Sequence, residues 1–299
     1  MGKKLTDRWA SMLALPGALY LAIALGAFIL GQDHTWDLRH LLREISSLAE
    51  HPHMMTFGGQ ALLFIAVLAG SAVVGLVARG LGRGIERVWL TADWHRWPSP
   101  LSRWIDRRVT SRRRRWRVLR QNLERERGTS AYPMAYDRMA RLSPEEPGRP
   151  TWCGDRIRAV EVRLDRDHEA DLAVIWPPLW LVMPEPSRCE ITKARDALSR
   201  ATAMAAWALL YLPLALWWWP AAPAAATLAG TAWLRTRAVT DTYATLVEAT
   251  VRLHVGDLAA QVNLEHEGTF SKDLGRRLTR RLRASLPPIP RMQEHQEEH

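Results

Sequence analysis

Apolar residues fall in four uncharged runs, and the chain between them is polar and rich in arginine. Residues 12–31 and 56–78 hold no charged side chain. Each is long enough to cross about 30 Å of hydrocarbon as a helix, which takes ~20 residues. Two shorter runs, 203–219 and 220–234, meet at Pro220-Ala-Ala-Pro223. Proline does not continue a helix interior, so this break predicts the tip of a helical hairpin. Trp217, Trp218 and Trp219 stand beside it and predict an anchor at one membrane interface, because indole favours the headgroup zone.

The intervening segments carry their own periodicities. In 32–55, Leu38, Leu41, Leu42, Ile45 and Leu48 share one helical face, which predicts a short amphipathic helix on the outer membrane surface. Residues 79–128 open with Gly80, Gly82 and Gly84 and then interleave arginine with tryptophan. Residues 128–150, with Gly128, Pro133, Pro144, Pro147, Gly148 and Pro150, read as a linker. A compact segment over 150–200 follows, in which Asp155 is positioned to cap a helix. Residues 172–184 are strongly apolar but contain Pro177 and Pro178. They predict a buried or interface-embedded element that is not a regular helix throughout and is too short for a fifth span. Three- and four-residue spacing of apolar positions predicts a helix over 238–263, followed by a basic helix with Arg276, Arg277, Arg280, Arg281 and Arg283. Residues 284–299 have the composition of a disordered tail.

Charge then orients the runs. Lys3, Lys4 and Arg8 precede the first, Arg79, Arg83, Arg87 and Arg96 follow the second, and Arg235 and Arg237 follow the fourth. In the 32–55 loop, Arg39 and Arg43 are balanced by Asp33, Asp37, Glu44 and Glu50. The excess of basic residues on the inner side of a membrane places the N-terminal segment 1–11, the 79–202 segment and the C-terminal 235–299 in the cytoplasm. The expected architecture is an all-α membrane protein. It has four transmembrane helices and a mostly helical cytoplasmic portion between spans two and three and after span four, in a bacterial cytoplasmic membrane.

The chain of 299 residues has a formal net charge of +10, and only Lys3, Lys4, Lys193 and Lys272 of its 41 basic residues are lysine. That arginine bias suits a GC-rich bacterial genome. The basic excess fits either anionic lipid or nucleic acid, and its position beside the spans favours lipid. Arg112, Arg113, Arg114, Arg115 and Trp116, with Trp94, Trp97 and Trp217 to Trp219, are the expected membrane-surface contacts.

Little else points to chemistry. No phosphate-binding glycine loop, G-x-S-x-G or H-E-x-x-H occurs. Cys153 and Cys189 both fall on the cytoplasmic side and read as free, inert thiols. His34, His40, His51 and His53 lack the spacing of a metal site. Asp165, Asp167, His168, Glu169 and Asp171 read as a solvated loop, with Arg163 and Arg166 competing for any cation's place. The runs hold no Asp, Glu, Lys, Arg or His, which argues against ion-coupled transport. Small residues recur in the second run at Ala66, Gly70, Ser71 and Gly75, and predict close approach of a neighbouring helix within the chain.

Pro150-Thr151-Trp152-Cys153-Gly154-Asp155, then Asp171 and Trp176-Pro177-Pro178-Leu179-Trp180, resemble a family of uncharacterised actinobacterial integral membrane proteins. That family shows Pro-Thr-x-x-Gly-Asn, a helix, an aspartate before apolar residues and Trp-Pro-x-Leu. Leu15-Pro16-Gly17 and the stretch from Tyr243 to His254 are similar as well, and the chain departs at Asp155, where the family usually has asparagine. The resemblance implies topology and supplies no catalytic residue or cofactor.

The function expected is that of a non-enzymatic scaffold or regulatory subunit. It would recruit a protein partner, or further copies of itself, through the 128–200 segment and the 238–283 helices, with Trp176, Trp180, Tyr243 and His254 as candidate contacts. The competing expectation is an oligomeric channel or pore.

Overall fold

The computed structural model describes residues 2–32, 43, 57–90, 98–265 and 268–283. All regular structure among them is α-helical: α1 Gly2–Leu30, α2 Phe57–Leu90, α3 Ser99–Arg125, α4 Tyr132–Leu142, α5 Trp152–His168, α6 Leu172–Val182, α7 Glu185–Leu214, α8 Ala221–Gln261 and α9 Lys272–Leu282. They form two compact units, one of Met1–Ile157 with Thr192–Ala244, the other of Arg158–Ile191 with Thr245–His299.

In the first unit α1 crosses α2 where both lack bulk. A Cβ on Gly17 would strike the Ser71 carbonyl, and Gly70 lies against the Leu21 side chain. Ser71 is fully buried there, and its hydroxyl donates back to the Leu68 carbonyl at 3.0 Å. Of the small residues expected to pack within the chain, Gly70 and Ser71 do so against α1, and Ala66 is exposed. The other end of α1 meets the end of α7. The Tyr20 hydroxyl donates to the Leu210 carbonyl at 3.0 Å, its ring meets Tyr211 edge-on at 5.4 Å, and Ala27 packs with Leu214 and Ala221.

By length and composition, two described helices can cross a bilayer, Gly58–Leu90 and Glu185–Leu214. The apolar stretches Pro16–Leu30 and Leu172–Val182 are shorter. Four spans were expected, and the difference at 220–234 has a local cause. These residues do not form a helix of their own. They open α8, a single helix of 41 residues that runs on through Arg235 and Arg237 and absorbs the separate helix expected over 238–263. At 1.5 Å per residue it is roughly 60 Å long. Nothing in the sequence breaks it, since charge alone does not end a helix.

Three further boundaries move. The hairpin turn lies at 215–220, not 220–223, because Pro223 sits in the first turn of α8, where a helix N–H has no partner to lose. The turn is closed by backbone bonds from Trp217 and Trp218 to the Leu214 carbonyl and from Ala221 to the Trp218 carbonyl. Residues 79–90 continue α2 in spite of their glycines, and Gly82 permits close approach to the backbone at Ala203. The expected 128–150 linker contains α4, with Pro133 in its first turn.

In the second unit, α6 is a regular helix through Pro177 and Pro178. Each proline removes one backbone donor, yet its fixed φ is helical. Full burial of Ile175 and Leu179 and a side-chain cap, with Asp171 accepting from the Ala173 N–H at 3.0 Å, hold the helix. Helix α9 docks through buried Leu274, Gly275 and Leu278, and a Cβ at Gly275 would strike the His168 carbonyl. Thr279 accepts from the Asp171 N–H at 3.1 Å, Arg276 pairs with Glu169 at 2.8 Å and Arg283 with Asp171 at 3.1 Å. The acidic 165–171 cluster thus seats a basic helix. Arg163, expected to compete for it, pairs with Glu248 at 3.3 Å. Glu248 also pairs with Arg252, one turn further along α8, at 2.9 Å.

Candidate membrane-surface site

Helix α3 divides the arginine run by its own period. Ile105, Val109, Arg112, Trp116 and Leu123 recur at three-, four- and seven-residue steps and face inward, where all but Arg112 are buried. Trp104, Arg107, Ser111, Arg114, Arg115 and Val118 recur on the opposite side and are exposed.

The inner face grips the segment after α4. The Trp116 indole N–H donates to the Ser143 carbonyl at 3.0 Å. Arg113 donates to the Pro147 carbonyl at 2.7 Å, and Arg117 pairs with Glu146 at 2.7 Å. Arg112 donates to the Leu142 carbonyl at 2.9 Å and to Asp155 at 2.6 Å. Asp155, only 2% exposed, also accepts from the Gly148 and Arg149 N–H groups at 2.8 and 2.7 Å. It was expected to cap α5. That duty falls to Thr151, whose hydroxyl accepts from the Gly154 N–H at 3.1 Å, which leaves Asp155 to join the loop to α3. Burial pushes the Asp155 carboxyl above its ordinary value, against the pull of the Arg149 and Gly148 N–H groups and of Arg112.

The same loop reaches the end of α2. The Thr151 hydroxyl donates to the Trp89 carbonyl, and the Arg149 guanidinium donates to the Leu90 carbonyl at 3.3 Å. An unbroken chain of hydrogen bonds therefore runs from the last turn of α2 through 149–151 and Asp155 to Arg112 on α3. Behind it, the Arg237 guanidinium lies 4.3 Å from the Trp152 ring centroid and donates to the Arg141 carbonyl at 2.6 Å. Arg156 of α5 pairs with Asp241 of α8 at 2.6 Å. Cys153 is free and buried, and burial pushes its thiol up, which disfavours the nucleophilic thiolate. Cys189 is free and exposed.

Of the expected membrane contacts, Arg112, Arg113 and Trp116 thus bind the protein's own loop, while Arg114 and Arg115 face outward. Trp217 and Trp219 are exposed in the α7–α8 turn, and Trp218 packs inward against Ala27, Leu214 and Ala221. Trp94 and Trp97 lie outside the described residues, as do the 32–55 loop apart from Gln32 and Arg43, and the 284–299 tail. Among the expected partner contacts, Trp176 and Trp180 stand together on α6 with ring centroids 6.0 Å apart. His254, in the same unit, meets Asp257 at 3.0 Å and Ser187 at 3.4 Å. Tyr243 belongs to the other unit.

Sequence reasoning grouped Arg112 to Arg115 as one patch and did not separate Trp104, Arg107 and Val118 from the inward residues. The signal was available: Arg112 and Trp116 fall on the period of Ile105 and Val109. Among the described residues no group of three or more His, Cys, Asp or Glu side chains could hold a metal ion. No family model matches the chain, and no curated protein or solved structure matches it either.

Proposed function

We propose that this chain is an integral protein of a bacterial cytoplasmic membrane, serving there as a non-enzymatic scaffold or interaction subunit. One observation carries the membrane part. Large apolar side chains point outward along the apolar helices: Phe28 is 78% exposed, Leu62 69% and Leu234 68%, with Ile65, Leu76, Leu209 and Leu212 alongside. A water-soluble monomer rarely exposes a contiguous apolar surface beyond a few hundred Å². In this reading α2 and the apolar end of α7 cross the bilayer. The apolar part of α1 and the opening of α8 pack beside them as third and fourth crossings, with both termini in the cytoplasm. The Gly17–Ser71 crossing and the Tyr20–Leu210 bond support that grouping. The resemblance to actinobacterial integral membrane proteins agrees with it.

The scaffold part rests on the polar portion, whose buried carboxylates and arginines serve as structural joints. On α6, Leu181 is exposed beside the half-buried Trp176 and Trp180, a surface suited to a protein partner. The test is purification from native membranes in mild detergent with measurement of intact-complex mass. A stoichiometric second protein is expected. A homo-oligomer of defined size without one would contradict the scaffold reading and favour a pore, to be examined by bilayer conductance.

A further inference from the structure

We propose that the outer face of α3, formed by Trp104, Arg107, Arg114, Arg115 and Val118, docks on anionic phospholipid headgroups of the bilayer that α2 crosses. The proposal rests on the membrane reading above and adds a surface, a ligand chemistry and an orientation.

Three observations carry it. First, the face mixes the groups a headgroup layer receives. Trp104 is 60% exposed and Val118 56%, and they flank Arg107, Arg114 and Arg115, none of which has a carboxylate partner among the described residues. Guanidinium groups meet phosphate bidentately, while indole and valine enter the acyl boundary. Second, the helix cannot roll to hide this face. Trp116 and Arg112 lock the opposite side to the Ser143 and Leu142 carbonyls and to Asp155. Third, the hydrogen-bonded chain through Asp155, Arg149 and Thr151 ends on the Leu90 and Trp89 carbonyls, so α3 is tied to the last turn of the helix that leaves the bilayer. The tether keeps α3 on the side of the bilayer from which α2 emerges. Single-stranded nucleic acid is the weaker fit, because stacking of successive bases needs a series of aromatics and this face offers Trp104 alone.

Each basic residue at an anionic surface favours the bound state by about fivefold, so three give on the order of a hundredfold shift toward docking. The test uses the full chain, with Cys189→Ser, reconstituted in vesicles of phosphatidylcholine with or without phosphatidylglycerol. A spin label is placed at Ser111→Cys on the outer face or, in a separate sample, at Leu68→Cys on α2. Relaxation by a water-soluble nickel chelate and by oxygen reads the depth of each label. The expected result is a label at 68 in hydrocarbon in both lipids and a label at 111 shielded from the chelate only with phosphatidylglycerol. Arg107→Glu, Arg114→Glu and Arg115→Glu together should abolish the shielding, and the three lysine replacements should retain it. A label at 68 in hydrocarbon with 111 equally aqueous in both lipids would overturn the docking and leave the membrane reading intact. A label at 68 in water would overturn both. Shielding of 111 by single-stranded RNA but not by phosphatidylglycerol would assign the face to nucleic acid instead.

Discussion

Arg112 and Asp155 meet at 2.6 Å behind α3, and this one ion pair joins the arginine helix to the loop that holds the end of α2. Of the four consecutive arginines, Arg112 and Arg113 therefore bind the protein's own loop, and Arg114 and Arg115 face outward.

Asp155→Ala removes the acceptor of the Gly148 and Arg149 N–H groups and leaves the Arg112 guanidinium without its carboxylate partner. Breaking a buried pair from one side costs about 3 kcal/mol or more, since the remaining charge stays buried. Thermal unfolding in detergent should show a large drop in midpoint for Asp155→Ala. Arg114→Ala, on the exposed side of the same helix, should fall within about 0.5 kcal/mol of the parent.

Gly17→Val should break the α1–α2 crossing, because its side chain would overlap the Ser71 backbone. The expected loss is about 2 kcal/mol or more, from overpacking that backbone cannot relieve. Gly26→Ala is the control, since a Cβ there meets nothing. It should be neutral or stabilising by about 0.5 kcal/mol, from the better helix propensity of alanine. Midpoints of the two variants in the same detergent separate packing from propensity.

The seating of α9 should depend on pH through Glu169. A hydrogen bond from Arg276 holds this carboxyl below its ordinary value of 4.5. A depressed folded value means that the contribution is fully present above pH 4.5 and is lost as pH falls through the folded value. The midpoint difference between the parent and Glu169→Gln should therefore be small but measurable at neutral pH and vanish in acid. A difference that grew in acid would reverse the sign of the account.

Much of the helical content is legible in the sequence, and so is the α1–α2 packing, because small residues four apart have one physical use in an apolar run. Boundaries are less legible. Arg235 and Arg237 mark a change of solvent preference without breaking the helix, so α8 runs through them. Pro177 and Pro178 suggest irregularity, and burial of Ile175 and Leu179 outweighs it. The joint at Asp155 is invisible to local reading, since its donors come from Arg112, Gly148 and Arg149, and only the folded chain brings these together. The split of α3 into two faces was readable from period alone, but a run of arginines hides period behind composition.

Membrane residence is the claim on which the rest depends, and alkaline carbonate extraction of native membranes tests it most directly. The full chain should stay in the membrane pellet, held by the apolar surface of α2 and α7. Release of the chain into the soluble fraction would contradict it.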